Sequence, residues 1–318
     1  MRAAPLVSGL LLVAIASPLL AQAPECSGYV GDAQRVCGAA VDGTRAFHPL
    51  IGILVSGGNP VLGSGGTLGG LGHTSFTLRA NAVQVVLPDL AYNGSSSTVP
   101  AGDKLWAPAP LVEGALGVYR GVGNGLLALD LLGSAQLLPT DQINNLTVDP
   151  DARQIGGIAL GLGYGARVGL LREQGPLPAV SVSIMRRDIP EITYGDVAGG
   201  DRFSYGVDLH ATNLRIVASK QLLFLDLAAG LGWDKYTGDA VIRFRDPITG
   251  VPYPDVPMKL NSSRALGFLN AGMSLSVVRL TGEVGYQGGK DQGLSTAFQD
   301  FDTTKGKFFA GLGLRVGF

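Results

Sequence analysis

Long segments of the chain alternate between apolar residues and small or polar ones. The last segment places one set on one face (Phe308, Ala310, Leu312, Leu314, Val316 and Phe318) and another set opposite (Lys307, Gly311, Gly313, Arg315 and Gly317). Similar alternation runs through residues 157–170, 223–234, 264–277 and 279–287. Any half-buried strand alternates, but these segments reach the ~9–11 residues that a tilted membrane strand needs. They therefore predict transmembrane β-strands with one face towards lipid.

The spacing of these segments predicts an even number of strands. Counted back from the C-terminus, short connections alternate with long ones, as the periplasmic turns and outer loops of membrane barrels do. The predicted fold is all-β, an antiparallel transmembrane β-barrel of about ten strands. The predicted strands cover residues 72–87, 109–120, 122–138, 153–171, 178–190, 202–217, 221–234, 263–277, 278–288 and 305–318. Twelve or 14 strands follow if residues 238–246 or 46–56 also span.

Two details accompany this topology. Alternation slips at Asn213–Leu214, which suggests a bulge or a misplaced turn in the strand at 202–217. Aromatic residues fall near the outer rim, where a girdle is expected. These residues are Trp106, Phe203, Tyr205, Trp233 and Tyr286.

The N-terminus has the features of a secretory signal peptide. Arg2 precedes an apolar run from Leu6 to Leu20, and small residues at Ala21 and Ala23 suit cleavage there. We expect residues 1–21 to be a cleaved signal, residues 22–71 a Gly-rich plug or linker, and residues 72–318 the barrel. The expected location is the cell outer membrane.

Composition narrows the chemistry. Glycine makes up 48 of 318 residues, about twice its usual ~7%, which disfavours a helical protein. The formal charge of −1 gives no basic excess, so no nucleic-acid partner is expected. In an exported chain, Cys26 and Cys37 are expected to form one disulfide, with a metal or redox pair as the lesser alternative. No cofactor or metal is expected.

The segment before the first predicted strand is unlike the rest. Residues 31–43 suit a short helix, residues 49–55 are apolar, and residues 56–72 are rich in glycine. This segment is either a periplasmic linker or a plug folded into the lumen.

The end of the chain carries a family resemblance. The final strand ends in Phe318, and in this the chain resembles bacterial outer-membrane barrel proteins as a broad class. The resemblance implies that the barrel-assembly machinery reads this strand as a sorting signal. Residues 57–60 (Gly-Gly-Asn-Pro) also resemble, over those few positions, the Asn-Pro-containing hatch of outer-membrane long-chain fatty-acid transporters.

Because alternate residues of a strand face opposite sides of the sheet, a set of charged residues is expected to face the lumen. Mixed charges in a narrow barrel most often pair with one another, and a selectivity-lining role is the alternative. Six apolar residues are also expected to point inward and hint at a hydrophobic ligand, although a packed plug would need them equally: Val83, Val85, Leu222, Phe224, Leu266 and Phe268. The expected lumen-lining residues are Arg79, Glu113, Asp130, Arg167, Asp208, His210, Asp226, Arg264, Arg279, Glu283, Lys307 and Arg315.

Two pairs of residues that contain histidine are candidates for catalysis. His73 with Ser75, and His210 with Asp208, share a strand face, as in barrel lipases and proteases. His73 and Ser75 are expected to face inward at the periplasmic end, and Asp208 and His210 lie in the middle of a strand and not at the outer rim where such enzymes act. No catalytic residue is therefore assigned. His48 has no evident partner.

The resulting expectation is a non-enzymatic narrow pore or carrier for small solutes, hydrophobic ones among them. A lipolytic or proteolytic barrel enzyme is one alternative. A structural or adhesive barrel with partner-binding outer loops is another. The expected partners are outer-membrane lipid, the barrel-assembly machinery and a small solute.

Overall fold

A computed structural model of the chain describes residues 23–139 and 145–318. The predicted signal peptide lies outside these residues. The described chain begins with a 3₁₀ turn at Pro24–Cys26 and a long helix, α1, at Gly31–Ser56. Ten long strands follow: β1 Thr74–Pro88, β2 Ala101–Tyr119, β3 Leu129–Pro139, β4 Ile158–Leu171, β5 Ala179–Tyr194, β6 Phe203–Leu222, β7 Leu225–Phe244, β8 Val256–Leu275, β9 Val278–Gln287 and β10 Lys307–Gly317.

The ten strands close into one antiparallel barrel, which confirms the predicted fold. Each strand pairs with its neighbours in sequence, and β1 also pairs with β10 in the register Ser75↔Gly317. The chain terminus completes this seam, where Thr74 and Phe318 exchange two backbone hydrogen bonds of 3.0 and 2.9 Å. Closure leaves no free strand edge, which is what allows a sheet to span a membrane.

The two ends of the barrel differ. Short turns join β2 to β3, β4 to β5, β6 to β7 and β8 to β9, and we call this the turn end. At the other end, the loop end, every connection except the one between β5 and β6 is longer than these turns, and short strands at Thr98–Val99 and Ala297–Phe298 pair with each other. The turn between β6 and β7 is Leu223-Phe224, whereas the predicted strands place it between residues 217 and 221. Leu222 and Phe224, which were expected to face the lumen, lie at this turn and are 49% and 60% exposed.

Several strands are longer than predicted, mostly at the loop end. β2 begins at Ala101 where residue 109 was predicted, and the β7–β8 hairpin extends to Phe244 and Val256. The alternatives of 12 or 14 strands are wrong, because residues 238–244 prolong β7 and residues 46–56 belong to α1.

The polarity of the two wall faces reverses along the strands. Towards the turn end of β6, Arg215 points inward and Leu214 and Ile216 outward. Towards the loop end, Tyr205 and Leu209 point inward although they are apolar. The side-chain phase is unbroken across this reversal, so the predicted bulge at Asn213–Leu214 is wrong.

Two lumen assignments are corrected by this reversal. Asp208 and His210 lie on the outer wall, not in the lumen, because the odd-numbered residues of β6 face inward throughout. Polar residues face outward here because the wall has passed beyond the apolar belt, while the inner face packs against α1. For the same reason Phe203 and Tyr205 are buried inside the barrel and do not join the girdle. Trp106, Trp233 and Tyr286 do lie on the outer wall, 45–56% exposed.

Helix α1 continues through a proline. Pro49 has no backbone N–H, so the carbonyl of Arg45 lacks its usual helical donor. The side chain of Gln292, from the loop between β9 and β10, donates to that carbonyl at 2.9 Å. The sequence suggested separate segments at 31–43 and 49–55, and tertiary contact joins them.

Across residues 23–139 and 145–318, no helix combines the length and the apolar character that crossing a bilayer would require.

The position of the apolar belt can be tested on β7. Ala229 lies on the outer wall in the middle of the belt, and Thr237 lies on the same wall beyond Trp233. Ala229→Arg should destabilise the barrel by about 2–4 kcal/mol in phospholipid vesicles, whereas Thr237→Arg should cost less than about 1 kcal/mol. Equal effects in guanidinium unfolding would mean that the belt is misplaced.

Candidate functional site

The lumen is filled by the segment that precedes β1. Residues 31–72, which we call the plug, run from the loop end to the turn end. The first half is α1, whose side chains Phe47, Leu50 and Ile51 pack in the same apolar cluster as Val85, Tyr205 and Ile242 of the wall. Each such side chain contributes about 1.5–3 kcal/mol when fully buried.

The start of the plug is fastened at the loop end. A disulfide joins Cys26 and Cys37. The carboxylate of Asp42 accepts hydrogen bonds of 2.7–2.8 Å from the backbone and hydroxyl of Ser295 and from the backbone of Thr296. Arg45 forms ion pairs with Asp42 and Glu25. The top of α1 is therefore tied to the loop between β9 and β10.

The middle of the plug is held by charged wall residues. The carboxylate of Glu283 accepts the backbone N–H groups of Gly58 and Asn59 at 2.9 and 2.7 Å. Arg79 donates to Glu283 and to the carbonyl of Asn59, both at 2.7 Å. On the other side, Arg215 donates to the carbonyls of Gly57 and Gly58 at 3.0 and 2.7 Å. We call this arrangement the latch.

The latch requires glycine at two positions. Gly57 has φ +59°, and a Cβ there would lie 1.8 Å from a guanidinium nitrogen of Arg79. A Cβ on Gly58 would lie 2.5 Å from the ring of Phe268. The chain thus passes between the wall arginines only because it has no side chains at this point.

The latch belongs to a wider buried polar layer. Asp234 accepts from Arg215 at 2.5 Å, from Asn213 at 2.7 Å and from Tyr236 at 2.7 Å. The layer holds three arginines (Arg79, Arg187 and Arg215) and three carboxylates (Glu113, Glu283 and Asp234), all at most 3% exposed. The charges balance, which is what a buried ionic layer needs.

A second set of contacts holds the plug near the turn end. Arg167 pairs with Asp130 at 2.7 Å, and Asp130 also accepts the backbone N–H of Leu68. Arg315 donates to the carbonyl of Leu62 at 2.9 Å. Arg279 lies 3.7 Å from Asp226 beside this region.

The structure brings together most of the predicted lumen residues. Arg79, Glu113 and Glu283 lie in the polar layer, and the pairs Asp130–Arg167 and Asp226–Arg279 lie nearer the turn end with Arg315. Arg264 and Lys307 also face inward, towards the loop end, where the ammonium of Lys307 lies 5.1 Å from the ring of Phe301. Asp208 and His210 are the two that lie elsewhere.

Sequence reasoning missed four residues that complete the layer. Asn213, Arg215 and Asp234 bond to the plug or to one another, and Arg187 pairs with Glu113 at 3.7 Å. Asn213 and Arg215 were missed because β6 was assigned the wrong phase. If every second residue of β6 from Phe203 to Arg215 is taken to face inward, both Asn213 and Arg215 fall in the lumen.

The three histidines occupy different places. His48 is buried in α1, and His73 is exposed at the turn end. On the outer wall, Nδ1 of His210 lies 2.6 Å from the carboxylate of Asp188, and Arg186 approaches the same carboxylate at 3.2 Å. Within the described ranges, no group of three or more His, Cys, Asp or Glu is placed to hold a metal ion.

Comparisons with known proteins give likeness in overall shape alone. No family model and no curated protein matches the chain. Among solved structures, it is similar to the N-terminal β-barrel domain of OprF from Pseudomonas aeruginosa (11% identity, TM-score 0.30, 78% of this chain and 99% of that chain). It is also similar to the outer membrane protease OmpT from Escherichia coli (10%, 0.40, 77% and 96%) and to the translocator domain of the autotransporter NalP from Neisseria meningitidis (10%, 0.32, 76% and 88%). These proteins differ in role, so they assign no activity to this chain.

The latch makes a stability prediction. Glu283→Gln keeps the shape of the side chain but leaves Arg79 with a weakened partner, so it should destabilise the barrel by roughly 3–5 kcal/mol. Hydrogen exchange at the Gly58 and Asn59 amides should also accelerate. The measurements are the temperature of the gel-mobility shift and amide exchange. Asp239→Asn, on the exposed outer wall, is the matched control, and equal effects from both variants would contradict the latch.

Proposed function

We propose that this outer-membrane barrel is a gated carrier of small hydrophobic solutes, in which movement of the plug opens the lumen. The latch is the observation that supports this proposal. A plug with a purely structural role would be held at least as well by apolar packing, since buried ion pairs are often no more stabilising than apolar side chains of similar volume. Buried charges instead provide a specific contact that can exchange partners.

The solute class follows from the lining of the lumen. At the loop end the wall is apolar on its inner face, with Val85, Leu87 and Tyr205 opposite α1. Between Phe47 and Leu50 of α1 and this wall lies a crevice of about 10 Å³. It is too small for a solute, so an apolar solute would enter beside α1 only after the plug has moved. The similarity of residues 57–60 to the hatch of long-chain fatty-acid transporters agrees with this class, because Asn59 and Gly58 lie at the latch.

Orientation and assembly complete the proposal. Short turns face the periplasm in barrels of this kind, so the loop end faces the exterior. The final strand, with Phe318 at its exposed end, is proposed to engage the barrel-assembly machinery. Export depends on the predicted signal peptide, and the carrier needs no covalent chemistry.

A reversible cross-link tests the carrier. A Cβ on Gly66 of the plug would lie 3.1 Å from the Cβ of Ala179 on β5, close to disulfide geometry. Gly66→Cys combined with Ala179→Cys should therefore lock the plug to the wall when oxidised. We expect the oxidised double variant to lose uptake of the apolar dye N-phenyl-1-naphthylamine into cells and to regain it after reduction.

Controls separate this effect from the native disulfide. Each single cysteine variant and the wild type receive the same oxidant and reductant. Uptake that persists in the fully cross-linked protein would contradict a moving plug. No uptake by the wild type above cells that lack the protein would favour the structural or adhesive role.

The Asp188–His210 pair favours one second candidate, a lipid-ester hydrolase. The pair lies on the outer wall just beyond the apolar belt, and Thr237 is the cross-strand neighbour of His210. Because Nδ1 is held by Asp188, Nε2 is left to take a proton from water or a hydroxyl.

Hydrolysis of long-chain p-nitrophenyl esters in micelles tests this candidate. His210→Ala should lower the rate about 10²-fold or more, whereas His73→Ala should leave it unchanged. If the wild-type protein has no esterase activity, the hydrolase proposal is wrong and the carrier proposal is unaffected.

A further inference from the structure

One side of the outer wall carries a row of polar groups directly beyond the apolar belt. The row consists of Arg186 on β5, Thr212 on β6, Lys235 on β7 and Ser263 on β8, and we call it the cation row. Its members are consecutive cross-strand partners: Arg186 with Thr212, Thr212 with Lys235, and Lys235 with Ser263. Opposite residues on neighbouring strands have Cβ atoms about 4.5–5.5 Å apart. The hydroxyl of Thr212 therefore lies between the two cations, and the hydroxyl of Ser263 lies next to Lys235.

The row lies at a defined height on the wall. Each member is two residues beyond an outward belt residue: Ile184, Leu214, Trp233 and Ala265. Ile184, Leu214 and Trp233 are 43–53% exposed. Two residues advance a strand by about 6.5–7 Å, which places the cations where the hydrocarbon layer gives way to lipid headgroups.

The charge is confined to this side. On the outward faces of the other six barrel strands, all of which the structure describes, Lys104 of β2 is the one charged residue. The cations of the row therefore do not belong to a ring of interfacial charge around the whole barrel. They mark one face, formed by the four consecutive strands β5 to β8.

The cations of the row have free donors. Asp188 contacts Arg186 through Nε at 3.2 Å and also binds His210, which leaves both terminal guanidinium nitrogens of Arg186 without a protein partner among the described residues. The ammonium of Lys235 makes no hydrogen bond or ion pair within the described ranges. Asp208 and Asp239 lie further from the belt, where Asp208 accepts the backbone N–H of Asp239.

We propose that the cation row binds the phosphate of a membrane lipid, whose acyl chains lie along Ile184, Leu214 and Trp233. Arginine and lysine supply the positive charge and donors that phosphate needs, and the hydroxyls of Thr212 and Ser263 add two more donors. The exposed apolar residues directly below accept the chains. This site is independent of the plug and of the carrier proposed above.

Binding of phosphatidic acid in dodecylmaltoside micelles tests the proposal. The matched neutral lipid is diacylglycerol with the same chains, and inorganic phosphate tests the headgroup alone. The reporter is the fluorescence of the protein when the lipid chains carry bromine, because Trp233 lies under the row and bromine quenches on contact. Trp106 on β2 is the second tryptophan, so Trp106→Phe is used as the background.

We expect the double variant Arg186→Gln/Lys235→Gln to bind phosphatidic acid about tenfold or more weakly, and Lys104→Gln to bind it as the wild type does. Diacylglycerol should quench weakly in all variants, and inorganic phosphate should not compete at millimolar concentration. Because the substituted side chains lie on the exposed outer wall, the substitutions should not disturb folding, and the gel-mobility shift of each variant checks this. Equal quenching by the two lipids, or equal binding by the double variant, would overturn the site.

Discussion

The arrangement of the whole lumen depends on one interaction, the acceptance of two plug amides by the carboxylate of Glu283. A closed barrel of ten strands has little room for water, so every polar group that enters must find a partner in the protein. The chain leaves α1 at Gly57 with free backbone N–H and C=O groups. Glu283 takes the N–H groups, Arg79 and Arg215 take the carbonyls, and Asp234 balances Arg215. These four buried wall residues therefore satisfy the backbone of the plug directly or, for Asp234, by pairing with Arg215.

The same plug explains why the wall reverses its polarity. Near the turn end, the inner face meets an extended polar segment, and the outer face meets the apolar belt. Near the loop end, the inner face packs against the apolar helix α1, and the outer face lies beyond the belt. The long strands β6, β7 and β8 are therefore membrane strands over one part of their length and ordinary half-buried strands over the other. The carrier role proposed here uses both halves, with an apolar entrance and a polar, exchangeable contact below it.

The sequence predicts the barrel well because the membrane imposes a period of two and a minimum strand length. Ten strands, their order and most inward charges follow from Phe318 backwards. The wrong assignments of inward and outward residues begin towards the loop end. There the inner face packs against the apolar helix α1, so inward residues no longer need to be polar. Asp208 and His210 were assigned inward and Phe203 and Tyr205 outward for that one reason. The helix through Pro49 could not be predicted either, because it depends on a donor from Gln292, 247 positions away. The latch residues Asn213 and Arg215 were hidden by the phase error on β6.

Impermeant maleimide labelling of intact cells tests whether the plug runs through the lumen from the exterior to the periplasm. Both native cysteines are paired, so an added cysteine is the one reactive thiol. Gly28 lies just before α1 at the loop end, and Val277 lies in the turn between β8 and β9. We expect Gly28→Cys to react on intact cells and Val277→Cys to react only after the outer membrane is permeabilised. Protection of Gly28→Cys until permeabilisation, together with a properly folded barrel, would contradict a plug that runs from the exterior to the periplasm.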